Sequence, residues 1–194
     1  MTSSIEKYFG ELNRLGSNAT VQDHDGLQVA LDDAIDWTIA MARQVTKAGG
    51  KLMFIGNGGS AGIASHMAID YSKNGGLRAL AFNDGAALTC LSNDLGYENV
   101  FSTQIDMHGH DGDLLMAISS SGQSPSILNA VETARAKNIA VATFSGFTSE
   151  NPLRRSGDMN FFIDSDSYGF VEISHLSLIH AVLDRACEQR PKST

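Results

Sequence analysis

From residue 52 onward, two hydrophobic textures alternate along the chain. Short, nearly continuous apolar runs occupy Leu52-Met53-Phe54-Ile55, Leu77 to Phe82, Leu114 to Ile118, Ile139 to Phe144 and Met159 to Ile163. Between and after them lie longer stretches with helical spacing, about Ser60 to Lys73, Ala86 to Leu91, Ile127 to Lys137 and Gly169 to Gln189. Strands that are apolar on both faces belong in a parallel sheet covered by helices on each side. The pattern therefore predicts an α/β fold, a three-layer α/β/α sandwich with a five-stranded parallel sheet. Upstream, residues 5–48 read as a helical segment, because Leu27, Leu31, Ala34, Met41 and Val45 recur at helical spacing while Asp32, Asp33 and Asp36 fall largely on other faces. Gly49-Gly50 ends that segment. With no internal repeat, linker or low-complexity stretch, residues 1–194 read as one domain: N-terminal helices over about 1–48 and a parallel core over about 49–194.

Glycine adds the first hint of function. The chain has 19 Gly against 3 Pro, and several glycines fall where a ligand of such a sheet binds, beyond the carboxyl ends of the strands. Gly56, Gly58 and Gly59 follow the first apolar run, Gly122 the third and Gly146 the fourth. The junction Gly56-Asn57-Gly58-Gly59-Ser60-Ala61 allows a tight turn and close backbone approach, with Ser60 as helix N-cap or hydroxyl donor. Ala61 stands where a dinucleotide fingerprint needs its third glycine, and no Gly-Lys-Ser/Thr follows, so no nucleotide cofactor is expected. A second junction, Ser119-Ser120-Ser121-Gly122-Gln123-Ser124-Pro125, places Pro125 at a first helical position and Ser124 at its N-cap. Clustered hydroxyls and unpaired N–H groups at a helix N-terminus bind phosphate without any lysine. Alone, either loop reads as a turn or a solvated serine stretch; together at one sheet edge they point to a phosphate-bearing ligand.

Charge removes other classes. Fourteen Lys and Arg against 22 Asp and Glu leave a net charge of −8, and no basic run offers a nucleic-acid surface. Cys90 and Cys187 form neither a disulfide framework nor a metal-binding pair by spacing. The stretch Met1 to Lys7 lacks signal-peptide character, and no apolar run approaches the roughly 20 residues that span a bilayer. A cytoplasmic protein with neither membrane nor nucleic-acid partner is expected. Among titratable groups, His66 and Asp70 share a helix face, and Glu172, His175 and His180 fall on the C-terminal helix. Carboxylates and imidazoles beside a phosphate cradle suit proton abstraction next to a carbonyl, or metal binding. His24, His108 and His110 carry no such context.

Together, Gly56 to Ala61, His66, the stretch Ser92 to Gln104 (SNDLGYENVFSTQ), Gly112-Asp113 and Ser119 to Ser124 resemble the sugar isomerase (SIS) domain family, most of all its phosphoheptose isomerase branch. The similarity runs from about Ala34 to Glu188. It implies conversion of sedoheptulose 7-phosphate to D-glycero-D-manno-heptose 7-phosphate through a cis-enediol, for nucleotide-activated heptose used in lipopolysaccharide, capsule or natural products. It also implies a homotetramer with active sites between subunits. By position, Ser119, Ser120, Ser121 and Ser124 match the phosphate loop, Asn57, Gly58 and Ser60 the glycine loop, Asp94 a substrate contact, and His180 the catalytic histidine. Zinc is a candidate cofactor, with His66 and His180 matching ligands and Asp70 and Glu172 completing the set.

Several positions depart from the branch. Asp70 replaces a catalytic Glu, Glu172 a Gln, Ile63 an Asp, and Lys73-Asn74 stand where an Arg is expected. The resemblance thus leaves Asp70, Glu172 and His180 as catalytic candidates, with Glu172 sharing or taking over the base role. Eight residues separate Glu172 from His180, about 12 Å along an ideal helix, which a shared ion would have to bridge. Two further readings remain: an isomerase of another ketose phosphate, and a non-catalytic SIS module that binds a sugar phosphate or a partner protein. Retention of His66, His180 and two carboxylates favours an enzyme.

Overall fold

The computed structural model describes residues 4–189, so Met1 to Ser3 of the amino-terminal stretch and residues 190–194 lie outside it. In chain order the elements are α1 (Ile5–Ser17), β1 (Thr20–Asp23), β2 (Gln28–Val29), α2 (Leu31–Lys47), β3 (Leu52–Gly56), α3 (Gly59–Lys73), β4 (Ala79–Ala81) and α4 (Gly85–Leu95). They continue as α5 (Val100–His108), β5 (Leu114–Ser119), α6 (Pro125–Ala136), β6 (Ala140–Gly146), β7 (Met159–Ile163) and α7 (Tyr168–Glu188). The strands form one sheet in the order β2-β1-β7-β6-β5-β3-β4. Strands β4, β3, β5, β6 and β7 run parallel, as the apolar runs required.

Alternate residues of the buried strands feed two layers. Leu52 and Phe54 join Ala34 of α2, Met67 of α3 and Ile179 of α7 in one core, while Met53 and Ile55 join Phe101 of α5 and Val131 of α6 in the other. The three-layer sandwich is thereby built from period-two alternation within strands whose faces are both apolar. At the amino ends of the strands, buried Asp113 accepts from Lys51 Nζ at 2.6 Å, Lys51 N at 2.8 Å and His110 N at 2.9 Å. It ties the start of β3 to the start of β5, so the Gly112-Asp113 motif has a structural task remote from the glycine and serine loops.

Two expectations need correction. The sheet has seven strands rather than five, and residues 5–48 are not continuous helix: β1 pairs antiparallel with β7, and β2 antiparallel with β1. The cause is local. Asp23 Oδ1 accepts from the amides of Asp25 and Leu27, and Gly26 adopts φ +79°, which closes a hairpin turn. Leu27, counted above in the helical stripe, is exposed in that turn, whereas Val21 points into the core. The apolar pattern also marks no element between residues 92 and 113, where the chain completes α4, makes a 3-10 turn at Tyr97–Asn99 and forms α5.

Candidate active site

Strand β3 leads through α3 to β4 on one side, while β5 leads through α6 to β6 on the other. Their carboxyl ends therefore flank the crevice where ligands of open α/β sheets bind. The glycine loop leaves β3 and the serine loop leaves β5 at this point. Between them lies a cleft of about 220 Å³, lined by residues 57–60, Ile118, Ser119, Ser120, Ser121 and Ser124, with Tyr168 and Glu172 from the start of α7.

The glycine loop turns through Gly58 at φ +56°, which is the N-cap of α3. Ser60 is consequently not an N-cap, a correction to one of the two roles read for it; it lies in the first turn, buried. Gly59 is needed for a second reason: a Cβ there would overlap the Glu172 carboxylate, which lies against the N-terminus of α3 where the helix dipole favours negative charge. Asn57 is held from both ends, its Oδ1 accepting from Tyr97 Oη at 2.7 Å and its Nδ2 donating to Ser126 Oγ at 3.0 Å.

In the serine loop, Ser124 is the N-cap residue of α6 and Pro125 opens the helix, as expected, but the Ser124 hydroxyl makes no capping bond. It accepts from Ser119 Oγ at 3.4 Å. Ser120 Oγ is buried with no partner among the described residues, and a buried hydroxyl of that kind calls for a ligand or water. No Lys or Arg among the described residues lines the cleft, so an anion there would be held by hydroxyls and amide N–H groups.

A second group lies farther along α3 and α7. His66 Nε2 is 3.3 Å from His180 Nε2 and 3.5 Å from Asp70 Oδ2, and the donor atoms of all three residues lie within 4.8 Å of one another. Two imidazole nitrogens on a tetrahedral zinc at about 2.05 Å would stand about 3.3 Å apart, so the donor set and its spacing fit that ion. Glu172 is not part of this group; it stays at the cleft. The two helices run side by side in the same direction, since Gly59 meets Glu172, His66 meets His180, and Gly75, just past α3, meets Leu183; Tyr71 Oη also ties them, donating to Ile179 O at 2.9 Å. Intervals of seven and eight residues place the His66 group about 10–12 Å along the helices from the Glu172 end. Ile63 and Leu176 fall between.

Asp94 lies outside the cleft, on the exposed end of α4, where its carboxylate meets Asn93 Nδ2 at 2.8 Å. His175 is fully buried, with Nε2 3.0 Å from Ser145 O. Burial pushes its pKa down to about 4, against the opposing pull of that carbonyl, and the ring is a packing element of α7. Tyr97 and Tyr168 enter the site without a signal in the residue pattern: Tyr97 works through Asn57 from 40 positions away, and Tyr168 is the first residue of α7, one position before the stretch that reads as helical.

Residues 7–146 match the SIS domain family. The chain is 36% identical over 159 residues to the phosphoheptose isomerase of Yersinia pestis strain Pestoides F, which spans 78% of this chain and 81% of that relative.

The chain belongs to the SIS domain family, in its phosphoheptose isomerase branch.

Solved structures of that branch agree with the SIS sandwich described above. A phosphoheptose isomerase from Francisella tularensis superposes with a TM-score of 0.81 at 28% identity, covering 98% of this chain and all of the other. The enzyme from Neisseria gonorrhoeae gives 0.79 at 27% identity, over 94% and 97% of the two chains. Among the described residues of this SIS chain, no helix is long and apolar enough to cross a membrane.

Proposed function

We propose that this chain is an aldose–ketose isomerase that converts sedoheptulose 7-phosphate to D-glycero-D-manno-heptose 7-phosphate. One observation carries the reading: the hydroxyl-lined cleft lies at the Gly59–Glu172 end of the helix pair, and the carboxylate–imidazole group lies farther along the same two helices, about 10–12 Å by helical rise. From phosphorus to C1, an extended heptose 7-phosphate spans eight bonds, about 10 Å at the per-bond reach of an extended chain. A triose phosphate covers about half that distance.

In this arrangement the phosphate rests on Ser119, Ser120, Ser121 and Ser124, with Asn57, Gly58 and Ser60 closing the cleft. The reacting end extends toward Asp70 and His180. Asp70 takes the C1 proton to give the enediol and returns it to C2, while His180 assists the accompanying proton shift from the C1 oxygen to the C2 oxygen. Bonds and electrons balance within the substrate, so no redox cofactor is called for. Glu172, beside the cradle, accepts hydrogen bonds from hydroxyls of the sugar and sets its orientation. His66, Asp70 and His180 would hold zinc, which supplies Lewis-acid polarisation of a carbonyl oxygen when bound.

His66 is half exposed, and Ile69 and Ile173 are exposed on the same pair of helices. A second copy packed on this face would close the reacting end to water, consistent with a homotetramer that shares its active sites; Asp94, outside the single-chain cleft, is then a candidate contribution from a neighbouring subunit. The product is a sugar phosphate for nucleotide-activated heptose, and the expected compartment is the cytoplasm.

The test is to incubate the protein with sedoheptulose 7-phosphate and follow the sugar by NMR. A new aldose phosphate is expected. No product from this substrate but product from another ketose phosphate would move the assignment to that sugar, a reading to which Ile63 and the absent Arg at 73–74 give substance. Phosphate binding without turnover of any ketose phosphate would leave a binding module.

A further inference from the structure

The serine loop rests on a side chain that does not line the cleft. Asn151 is 1% exposed and follows β6, the strand next to β5. Its Nδ2 lies 3.2 Å from Ser145 Oγ, 3.1 Å from Gly146 O and 2.8 Å from Thr148 O, bridging the end of β6 to the turn that leaves it. Its Oδ1 accepts from Arg154 N at 3.0 Å and caps the 3-10 turn Pro152–Arg155. The same amide lies against Gly122, at φ +64°: a Cβ on Gly122 would overlap Asn151 Oδ1 and Cγ. Two backbone bonds frame the contact: Leu153 N donates to Gly122 O at 3.1 Å, and Gly146 N donates to Ser120 O at 2.9 Å.

Resting on the phosphate-cradle reading above, we infer that Asn151 is a positioning residue that fixes the height of the 119–124 loop against β6, and thereby the affinity for the phosphate end of the substrate. Gly122 can settle no lower than the Asn151 amide, and the amide cannot shift without releasing three acceptors at once. That geometry keeps the buried Ser120 hydroxyl in the cleft instead of letting it sink to a protein partner. The role differs from general packing because it acts on one loop, at the end of the substrate remote from Asp70 and His180.

The test is calorimetric titration of inorganic phosphate into the wild type, Asn151→Ser and Gly122→Ala, and the double variant, with thermal midpoints measured alongside. Serine keeps the cap on Arg154 N but removes the Nδ2 bridge and the surface under Gly122. Phosphate Kd is expected to weaken about tenfold in Asn151→Ser, the scale of a disrupted set of buried hydrogen bonds. KM for the sugar phosphate should rise in parallel with kcat kept. Gly122→Ala should cost less in the Asn151→Ser background than in the wild type, because the obstructing amide is gone. If the serine variant does not fold, Asn151→Asp, which keeps the shape but turns a donor into a charge facing two carbonyls, is read in the same assay with the same expected loss. An unchanged Kd in a folded variant, or a fall in kcat with KM kept, overturns the inference alone. A wild type that binds no phosphate overturns the cradle reading and this inference with it.

Discussion

Glu172 and Asp70 are both carboxylates on the α3–α7 pair, yet their neighbours differ. The first lies against bare Gly59 at the cleft; the second joins two imidazoles. Sequence spacing carried half of this: eight residues between Glu172 and His180 already meant about 12 Å. What spacing cannot supply is the pairing across helices, because Gly59 facing Glu172 depends on how α3 docks beside α7. The same limit applied to Ser60, where a serine after glycines reads as an N-cap until Gly58 turns the chain one position earlier. The division has a kinetic consequence. Asp70→Asn is expected to lower kcat by about 10²–10⁴-fold, as loss of a general base does, and to lower zinc content in protein purified without chelator or affinity tag. Glu172→Gln should raise KM, leave kcat within a small factor and leave metal content unchanged. If Glu172→Gln instead abolishes turnover with KM kept, the base is Glu172.

At the scale of elements, the five parallel strands were legible because each is apolar on both faces, a pattern that survives without knowledge of the partner strand. The hairpin of β1 and β2 was not. Its polar residues are mostly half-buried, only Val21 lies deep in the core, and it gains its bonds from β7, about 140 positions away. Likewise, the histidines of α7 could not be sorted by periodicity: His175 and His180 are five apart, and only the docked helix shows the first buried against Ser145 O and the second facing His66. His175 makes α7 sensitive to acid. Its folded pKa of about 4 lies below the ordinary 6.5, so the unfolded chain binds the proton first. The stabilisation is complete above pH 6.5 and is lost as pH falls through the interval down to about 4, amounting to about 3 kcal/mol at most. Thermal midpoints measured from pH 7 to 4 should therefore drop for the wild type and drop less for a folded His175→Gln protein. Parallel curves for the two would remove His175 as the cause.

For the molecule as a whole, a net charge of −8 spoke against nucleic acid but was silent on sugar phosphate, because the recognition proposed here is local, by hydroxyls and amides. The proposed assembly rests on the family resemblance; on the single chain, Ile69 is 59% exposed beside the open His66 group, an apolar surface that a second copy would cover. Ile69→Ser is expected to lower the molar mass seen by light scattering and to cut turnover together with it. Retained mass with retained turnover would place the subunit contact elsewhere.

The two margins of the sheet bear on the same question. One ends in β2, of two residues, and the other in β4, of three. A margin that short offers almost no ladder of unpaired amides and carbonyls onto which another chain can add a strand. Edge-to-edge growth, which has no natural end, is thereby disfavoured; the proposed homotetramer would instead form through side chains on helices, where symmetry can close an assembly at a fixed number.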